Sequence, residues 1–415
     1  MTTASELTNF IKENDVKFVR LSFIDLDGRQ RNLSVMAEEL PTVLECGVPF
    51  CAAAAEYGKG AGDDLLLFPD VDTIHILPWR PQHGRVARFL CFVKDKNMQN
   101  AYFDSRALLK KTLASLKEMG ISSELGTDCE FYLFKTDDEG NPTKITHDHA
   151  GYFDIAPLDK GENVRREICL CLEEMGIKPL SSHHERGPGQ NEINFVATQT
   201  MDACDNYMIF RSVVKAIASR NGLFASFMPK PIENESGNGL AISLSLSKDK
   251  VSLFDEDKLS PEASSFIAGI LNRAADLAFL LNSYPNSYKR LGEFDAPDTA
   301  KFGTDRFDYM RIAKKYGGNR LEFRAPDNAC NVYVAISAIL QAGMEGIKNN
   351  EKLENKTIAL PKSMTEAITI AKNSAFLKEV LGKDLLSDLI DHKQRLDEEY
   401  KKDRSLSDRK AFERI

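Results

Sequence analysis

The chain has 415 residues, 42% of them hydrophobic, and a formal net charge of −8. That is enough for a large core and more than one domain. The acidic balance and the lack of a basic run argue against nucleic acid or an anionic membrane surface as a partner. No apolar stretch reaches the ~20 residues a membrane span needs.

Ser5 to Glu13 reads as a capped helix. Val16 to Ile24 alternates apolar and polar residues, ends at Asp27-Gly28 and resumes over Gln30 to Val35, which predicts a hairpin with a type I′ turn. Asp25 and Asp27 could suggest calcium, but the turn explains them. Leu65 to Asp70 and Ala87 to Val93 are further strands, so residues 1–100 form a small, strand-rich α+β domain. The remainder, 101–415, interleaves antiparallel strands with amphipathic helices. Helices are expected over Ser105–Met119, Glu162–Met175, Asp202–Asn221, Ser260–Asn282 and Asn331–Lys348, and along the charged tail from Leu381. Strands are expected over residues 125–135, Phe224–Phe227 and Gly239–Leu246. No phosphate loop and no dinucleotide fingerprint occurs; Gly237-Asn238-Gly239 is too short for one. Eight cysteines are scattered without a CxxC pair, which points to reduced thiols in a cytoplasm.

Three segments carry chemistry. Ser182-His183-His184-Glu185-Arg186-Gly187-Pro188-Gly189-Gln190-Asn191-Glu192 places two carboxylates around a Gly-Pro-Gly bend. Asp128 and Glu130, two apart on a strand, share a face, as do Arg320, Glu322 and Arg324. Five carboxylates on neighbouring strands are costly to bury unpaired; divalent cations and an anionic substrate would relieve them.

These segments, with Phe227-Met228-Pro229-Lys230-Pro231, Asn286 to Leu291 and Asp295-Ala296-Pro297, resemble in order the motifs of the class I glutamine synthetases. The resemblance implies an N-terminal β-grasp domain and a C-terminal catalytic domain whose antiparallel sheet forms an open barrel among helices. It also implies a homo-oligomer, usually two stacked hexameric rings with sites between subunits. Implied substrates are ATP, glutamate or a similar acid, and an amine; the implied cofactor is Mg²⁺ or Mn²⁺. Glu130, Glu185 and Glu192 match the first metal site. Asp128 and Glu322 match two of three ligands of the second. Asn234, Arg290 and Arg324 match substrate contacts. Arg311, Arg320 and His184 match nucleotide contacts. Asp295, Arg306 and Arg324 match catalytic groups, Asp295 standing for a flap glutamate. The reaction would pass through a γ-glutamyl phosphate.

Four departures bear on activity. The histidines of the family's glycine-rich segment fall on Gly239 and Ala241, so the second metal site loses its imidazole unless water or Asn238 substitutes. The family's ammonium-binding aspartate falls on Cys51, in an alanine run with no acid nearer in sequence than Glu56. Cys51 itself reads as a small hydrophobe rather than a nucleophile. Asp128 and Asp295 are one methylene shorter than the family's glutamates. The family's modified tyrosine falls near Ile358. The loss of the ammonium aspartate favours a γ-glutamyl amide ligase that takes an amine rather than ammonia, whereas the missing histidine and aspartate together would suit a non-catalytic assembly. Alternatives are glutamine synthetase proper and a non-catalytic sensor or scaffold of the same fold.

Overall fold

The computed structural model describes residues 4–52, 64–254, 259–292, 296–315 and 317–415. The helix α1 (Ala4–Glu13) turns Leu7 and Ile11 inward, as their i, i+4 spacing dictates. The strands β1 (Val16–Ile24) and β2 (Gln30–Met36) form the expected hairpin, but its turn is not type I′. Asp25 and Arg29 close a three-residue loop in which the Gly28 amide donates to the Asp25 carbonyl at 3.0 Å, and Gly28 alone carries a positive φ, of 74°. A type I′ turn would need positive φ at Asp27 as well. The bulged loop leaves Asp27 free to meet His392, and its tip presses so closely on the main domain that a Cβ on Gly28 would lie 2.6 Å from the Asn331 Cα. Asp25 accepts from the Arg29 amide and the Arg31 side chain, so the turn does account for both acids.

Next come α2 (Leu40–Cys46), β3 (Val48–Cys51), β4 (Asp64–Pro69), β5 (His75–Ile76) and β6 (Arg85–Lys94). The sheet order is β2-β1-β6-β4-β3, with β1 and β6 parallel and β5 pairing with β6. This is a β-grasp domain. Arg106 ties it to the main domain, donating to Asp70 at 2.8 Å and to both oxygens of Asp205 at 2.7 and 3.0 Å.

The main domain begins with α3 (Ser105–Glu118), capped by the Asp104 carboxylate. An 11-stranded sheet follows. Its centre is β7 (Ile121–Thr136), which also pairs with the short β8 (Pro142–Thr146). After α4 (Glu162–Glu174) come β9 (Pro179–His184), β10 (Gln190–Phe195), β11 (Thr198–Gln199), α5 (Thr200–Arg220), β12 (Leu223–Ser226), β13 (Leu240–Lys248) and β14 (Val251–Ser252). The helices α6 (Pro261–Asn272) and α7 (Ala274–Leu281) precede β15 (Thr299–Ala300), β16 (Phe302–Gly303), β17 (Met310–Lys315) and β18 (Gly318–Phe323). The long α8 (Val332–Lys348), β19 (Ile358–Ala359) and four helices, α9 (Met364–Asn373), α10 (Ala375–Leu381), α11 (Lys383–Lys402) and α12 (Arg404–Arg414), complete the chain. The order β16-β17-β18-β13-β7-β10-β9 curls the sheet into a half-barrel.

The expected single helix over Ser260–Asn282 is broken at Arg273, with a bend of 69° between α6 and α7. The cause is packing on α8. A Cβ on Gly269 would stand 2.2 Å from the Ala342 carbonyl, and Arg273 is held by Glu345 through bonds of 2.5 and 3.1 Å, so α6 is committed to α8. The bend then lets α7 turn towards α9. Among the described residues no single helix is long and apolar enough to cross a membrane.

Along β7 the faces separate cleanly. Cys129, Phe131 and Leu133 are fully buried, and Phe131 packs against Phe210 and Phe227 with ring centroids 6.0 and 5.7 Å away. Asp128 and Glu130 therefore point to the concave face.

Candidate active site

Sheet register builds the site in rows. Glu130 on β7 lies directly opposite Glu192 on β10, which lies opposite His183 on β9. On the other flank the Gly239 carbonyl accepts from the Glu130 amide at 3.3 Å, so Gly239 ends this row. One step along, Asp128 faces Asn194 on one side and Ala241 on the other. A step further across, Ser243 faces Glu322, which faces Arg311.

The bend that supplies Glu185 depends on its glycines. Gly189 holds φ at 70°, and a Cβ on Gly187 would fall 1.9 Å from the Tyr132 hydroxyl. Gln190 then donates to Glu130 at 3.3 Å and to the Gly237 carbonyl at 3.1 Å, joining bend, strand and glycine-rich turn. Asn328 locks the same corner from behind, with donors on the carbonyls of Glu130 (2.9 Å) and Gly239 (3.0 Å).

Two acids of the expected first metal set, Glu185 and Glu192, come together with His183. Ligand atoms of His183, Glu185 and Glu192 lie within 4.8 Å of one another, and Glu130 stands across the ladder from Glu192. Burial, followed by repulsion from Glu130, Asp128 and Glu185, pushes the Glu192 carboxyl well above its ordinary pKa. Carboxylates that repel each other, beside one imidazole, fit a hard divalent cation with mainly oxygen ligands. Glu130, Glu185 and Glu192 would hold it, with His183 donating to Glu185 at 2.9 Å. Such an ion, when bound, draws charge from the terminal phosphate of ATP.

The second set does not fit in the same way. Asp128 and Glu322 come together as expected, but the Lys315 ammonium sits between them, 2.9 Å from the Asp128 carboxylate and 2.8 Å from that of Glu322. The Arg311 Nε takes the other Glu322 oxygen at 2.6 Å. Burial alone would lower the Lys315 pKa; attraction to Asp128 and Glu322 overcomes it and raises the pKa. Burial likewise raises the Glu322 carboxyl, and Lys315 and Arg311 reverse the effect, leaving it lowered. Asn238 cannot replace the missing imidazole: it is fully buried, its amide donates to the carbonyls of Ser226 and Met228, and its oxygen accepts from Gln190.

The arginines divide into two groups. Among the described residues, Arg320 Nη1 and Arg324 Nε are buried donors without a hydrogen-bond partner, and Arg320, two residues before Glu322 on β18, shares its face. Orphaned guanidinium donors beside a cation site suit an anionic phosphate or carboxylate. Arg290, expected from the resemblance as a substrate contact, lies deeper in the fold. It is 1% exposed and donates to the backbone carbonyls of Arg324, Ala325 and Pro326 at 2.9–3.1 Å, fixing the segment that carries Arg324. Arg306 is exposed on the loop between β16 and β17, and Asn234 is exposed in the turn after Pro231. Asp295 lies outside the described residues.

His184 also differs from its expected nucleotide contact. Its ring is buried, with Nε2 2.9 Å from the Asp148 carboxylate and Nδ1 2.6 Å from the Glu185 carbonyl. Both partners are acceptors, an arrangement that favours the doubly protonated ring and agrees in direction with its raised pKa. Neither nitrogen faces the cleft. Its neighbour His183 does, with Phe153 and Tyr152 packed edge-on at 4.8 and 5.7 Å.

Lys315 was missed in the sequence because it belongs to no motif. The period-two run Arg311, Ala313, Lys315 on one strand would have placed it on the Arg311 face. The alanine run also has an acidic neighbour across the sheet: Asp64, distant in sequence, pairs directly with Cys51 across the β3–β4 ladder, so a carboxylate shares the exposed face of that strand end.

Comparison with known proteins gives the family. Residues 102–412 match the glutamine synthetase catalytic domain, and residues 15–96 match the glutamine synthetase β-grasp domain. A protein of Clostridium saccharobutylicum named glutamine synthetase is 39% identical over 92% of this chain and 91% of its own. One of Methanosarcina mazei with the same name is 38% identical over 96% and 95%. The solved structure titled GmaS/ADP complex superimposes with a TM-score of 0.88 at 28% identity, over 97% of both chains. The curled sheet, its rows of acids and these matches share one conclusion: the chain belongs to the glutamine synthetase family and is an ATP-dependent ligase that uses a divalent metal.

Proposed function

We propose that this ligase joins the γ-carboxyl of glutamate, or a closely similar acid, to a small alkyl amine, with an acyl phosphate as the intermediate. Glu130, Glu185 and Glu192 hold the metal, and Arg320 and Arg324 receive the phosphate and the substrate carboxylate with their unpartnered donors. Arg306 and Asp295 retain the catalytic roles given by resemblance, and Asn234 that of a substrate contact. Arg311 and His184 act by position: Arg311 holds Glu322, and His184 holds the carbonyl of Glu185.

One observation carries the acceptor. The end of β3 offers Cys51 and the buried Ala52, where the family has an ammonium-binding aspartate, and Asp64 lies beside Cys51. A carboxylate next to a thiol and methyl groups suits an alkylammonium, whose charge meets the acid while its carbon meets the apolar side. The same Asp64 also favours a second reading, ammonia as acceptor, since a carboxylate alone suffices for a compact ammonium. Residues 53–56, the rest of the alanine run and Glu56, lie outside the described residues.

The site end of β3 would serve a neighbouring subunit in a ring. Support for a homo-oligomer comes from the cluster of exposed apolar side chains Phe153 (60%), Ile155 (77%) and Leu158 (60%), an unusual concentration for a monomer's surface. A double hexamer and a cytoplasmic location complete the reading, the latter from cysteines that form no disulfide.

The test measures ADP release and γ-glutamyl product with ammonia, methylamine and ethylamine. An alkyl amine is expected to surpass ammonia in kcat/KM by about tenfold, the ~1.4 kcal/mol that burying one to two methylenes supplies. Asp64→Asn should raise KM for every amine while leaving ATP binding intact. Ammonia as the best acceptor would overturn the amine assignment and leave glutamine synthetase proper; no ADP release with any acceptor would leave the scaffold.

A further inference from the structure

We propose that the ammonium of Lys315 replaces the second divalent cation of this active site, so that each subunit binds a single catalytic metal ion. The catalytic meaning of this inference rests on the ligase reading, but its test does not need turnover.

Three observations point the same way. First, the place is filled by charge of the right sign. Lys315 Nζ lies 2.9 Å from Asp128 and 2.8 Å from Glu322, and Glu322, 3% exposed, also accepts from Arg311 at 2.6 Å. Two carboxylates are thus matched by one ammonium and one guanidinium. Adding a divalent ion would leave two uncompensated positive charges in a partly buried pocket.

Second, the ligand set is short. Gly239 and Ala241, which occupy the adjacent strand, bring no metal-binding side chain. A side chain at Gly239 would begin with its Cβ 3.0 Å from Arg290 Nη2, a guanidinium group already bonded to the Arg324 and Pro326 carbonyls. The backbone has closed over the position: the Gly239 amide itself donates to Glu130 at 2.8 Å. Third, register makes the placement structural rather than incidental. Arg311 faces Glu322 directly, and Lys315, two alternations further along β17, shares its face. A residue at 314 would point the other way.

An ammonium has three donors. Two meet Asp128 and Glu322, and among the described residues no partner is recorded for the third, which can reach a phosphate oxygen. Lys315 would then bind the terminal phosphate as a fixed point charge, as a metal would, but without coordination geometry or exchange with solvent.

Binding of Mn²⁺ to the full assembled protein decides the matter, read by equilibrium dialysis with elemental analysis and by the Mn²⁺ electron paramagnetic resonance signal. The wild type should bind one ion per subunit. Lys315→Glu supplies a third carboxylate and removes the ammonium, and should bind one ion more than the wild type. Lys315→Arg, which keeps the charge, should match the wild-type count. If Lys315→Glu does not assemble, Lys315→Asp, which also removes the ammonium and supplies a carboxylate, carries the test with the same expected gain. Two ions per subunit in the wild type, or no gain in a folded variant lacking the ammonium, would overturn the proposal. Because the readout is the difference between variant and wild type, failure of the first metal site would lower every count together and be recognised separately.

Discussion

Glu192→Gln is expected to cut metal-dependent ADP formation by about a thousandfold, roughly 4 kcal/mol of transition-state stabilisation, while making the metal-free protein more stable. Both signs follow from one geometry. Glu192 faces Glu130 across the ladder, its side chain is 13% exposed, and Asp128 and Glu185 crowd the same face. Its carboxyl pKa is raised by burial and then by those neighbours. A carboxyl raised in the folded state binds its proton more tightly there than in the unfolded chain. Its contribution therefore falls as pH rises above the unfolded value of about 4.3. Metal-free wild type should thus lose stability towards neutral pH, and Glu192→Gln should lose less. A divalent cation reverses the repulsion. At about 100 times its Kd it should stabilise the wild type by about 2.7 kcal/mol. The variant at the same concentration should gain a small fraction of that. Thermal unfolding with and without Mg²⁺, at pH 6 to 8, checks all three expectations. A variant that keeps the full Mg²⁺-dependent rise and loses less than tenfold in activity would remove Glu192 from the metal site.

The pattern of acids was legible because strand periodicity is short-range. Asp128 and Glu130 need only alternate to share a face, and the Gly-Pro-Gly bend needs only two glycines to bring Glu185 beside Glu192. What pairs with those acids was not legible, because it depends on register across the sheet. Lys315 reaches Asp128 from a strand 187 residues later. Asp64 reaches Cys51 across a ladder whose connecting residues separate them in sequence. The same limit applies to Arg290. Its residue type suits a carboxylate ligand, but its direction is set by the carbonyls that follow β18. The break at Arg273 was hidden for another reason: residues 260–282 are helical by composition throughout, and only close contact of Gly269 with α8 forces the bend. Motif resemblance located the chemistry, whereas the charge balance of the second cation position needed three dimensions.

The pair His184–Asp148 shows how such a buried contact supports the site without touching a substrate. His184→Leu should destabilise the fold by about 3–5 kcal/mol, since it leaves Asp148 buried without its cation. Asp148 is 3% exposed and also accepts from the amides of Lys160 (3.0 Å) and Gly189 (2.8 Å), so it anchors the bend itself. Burial would raise its carboxyl pKa, but the His184 hydrogen bond and those amides hold it far below the usual range. For His184 burial favours the neutral ring; the bond to Asp148 and then that to the Glu185 carbonyl outweigh it and raise the pKa. The signs give a window. The Asp148 contribution is present above about pH 4 and lost as pH falls through its lowered folded value. The His184 contribution is complete below about pH 6.5 and lost as pH rises through its raised folded value. The difference in unfolding free energy between wild type and His184→Leu should therefore be largest between those limits and shrink on the alkaline side. Activity should fall too, because loss of the His184 bond frees the Glu185 carbonyl and loosens the bend that aims its carboxylate. Denaturant unfolding of both proteins from pH 5 to 9 measures the difference; a difference that stays constant across that range, or grows with pH, would show that the ring is neutral and that Asp148 does not depend on its charge.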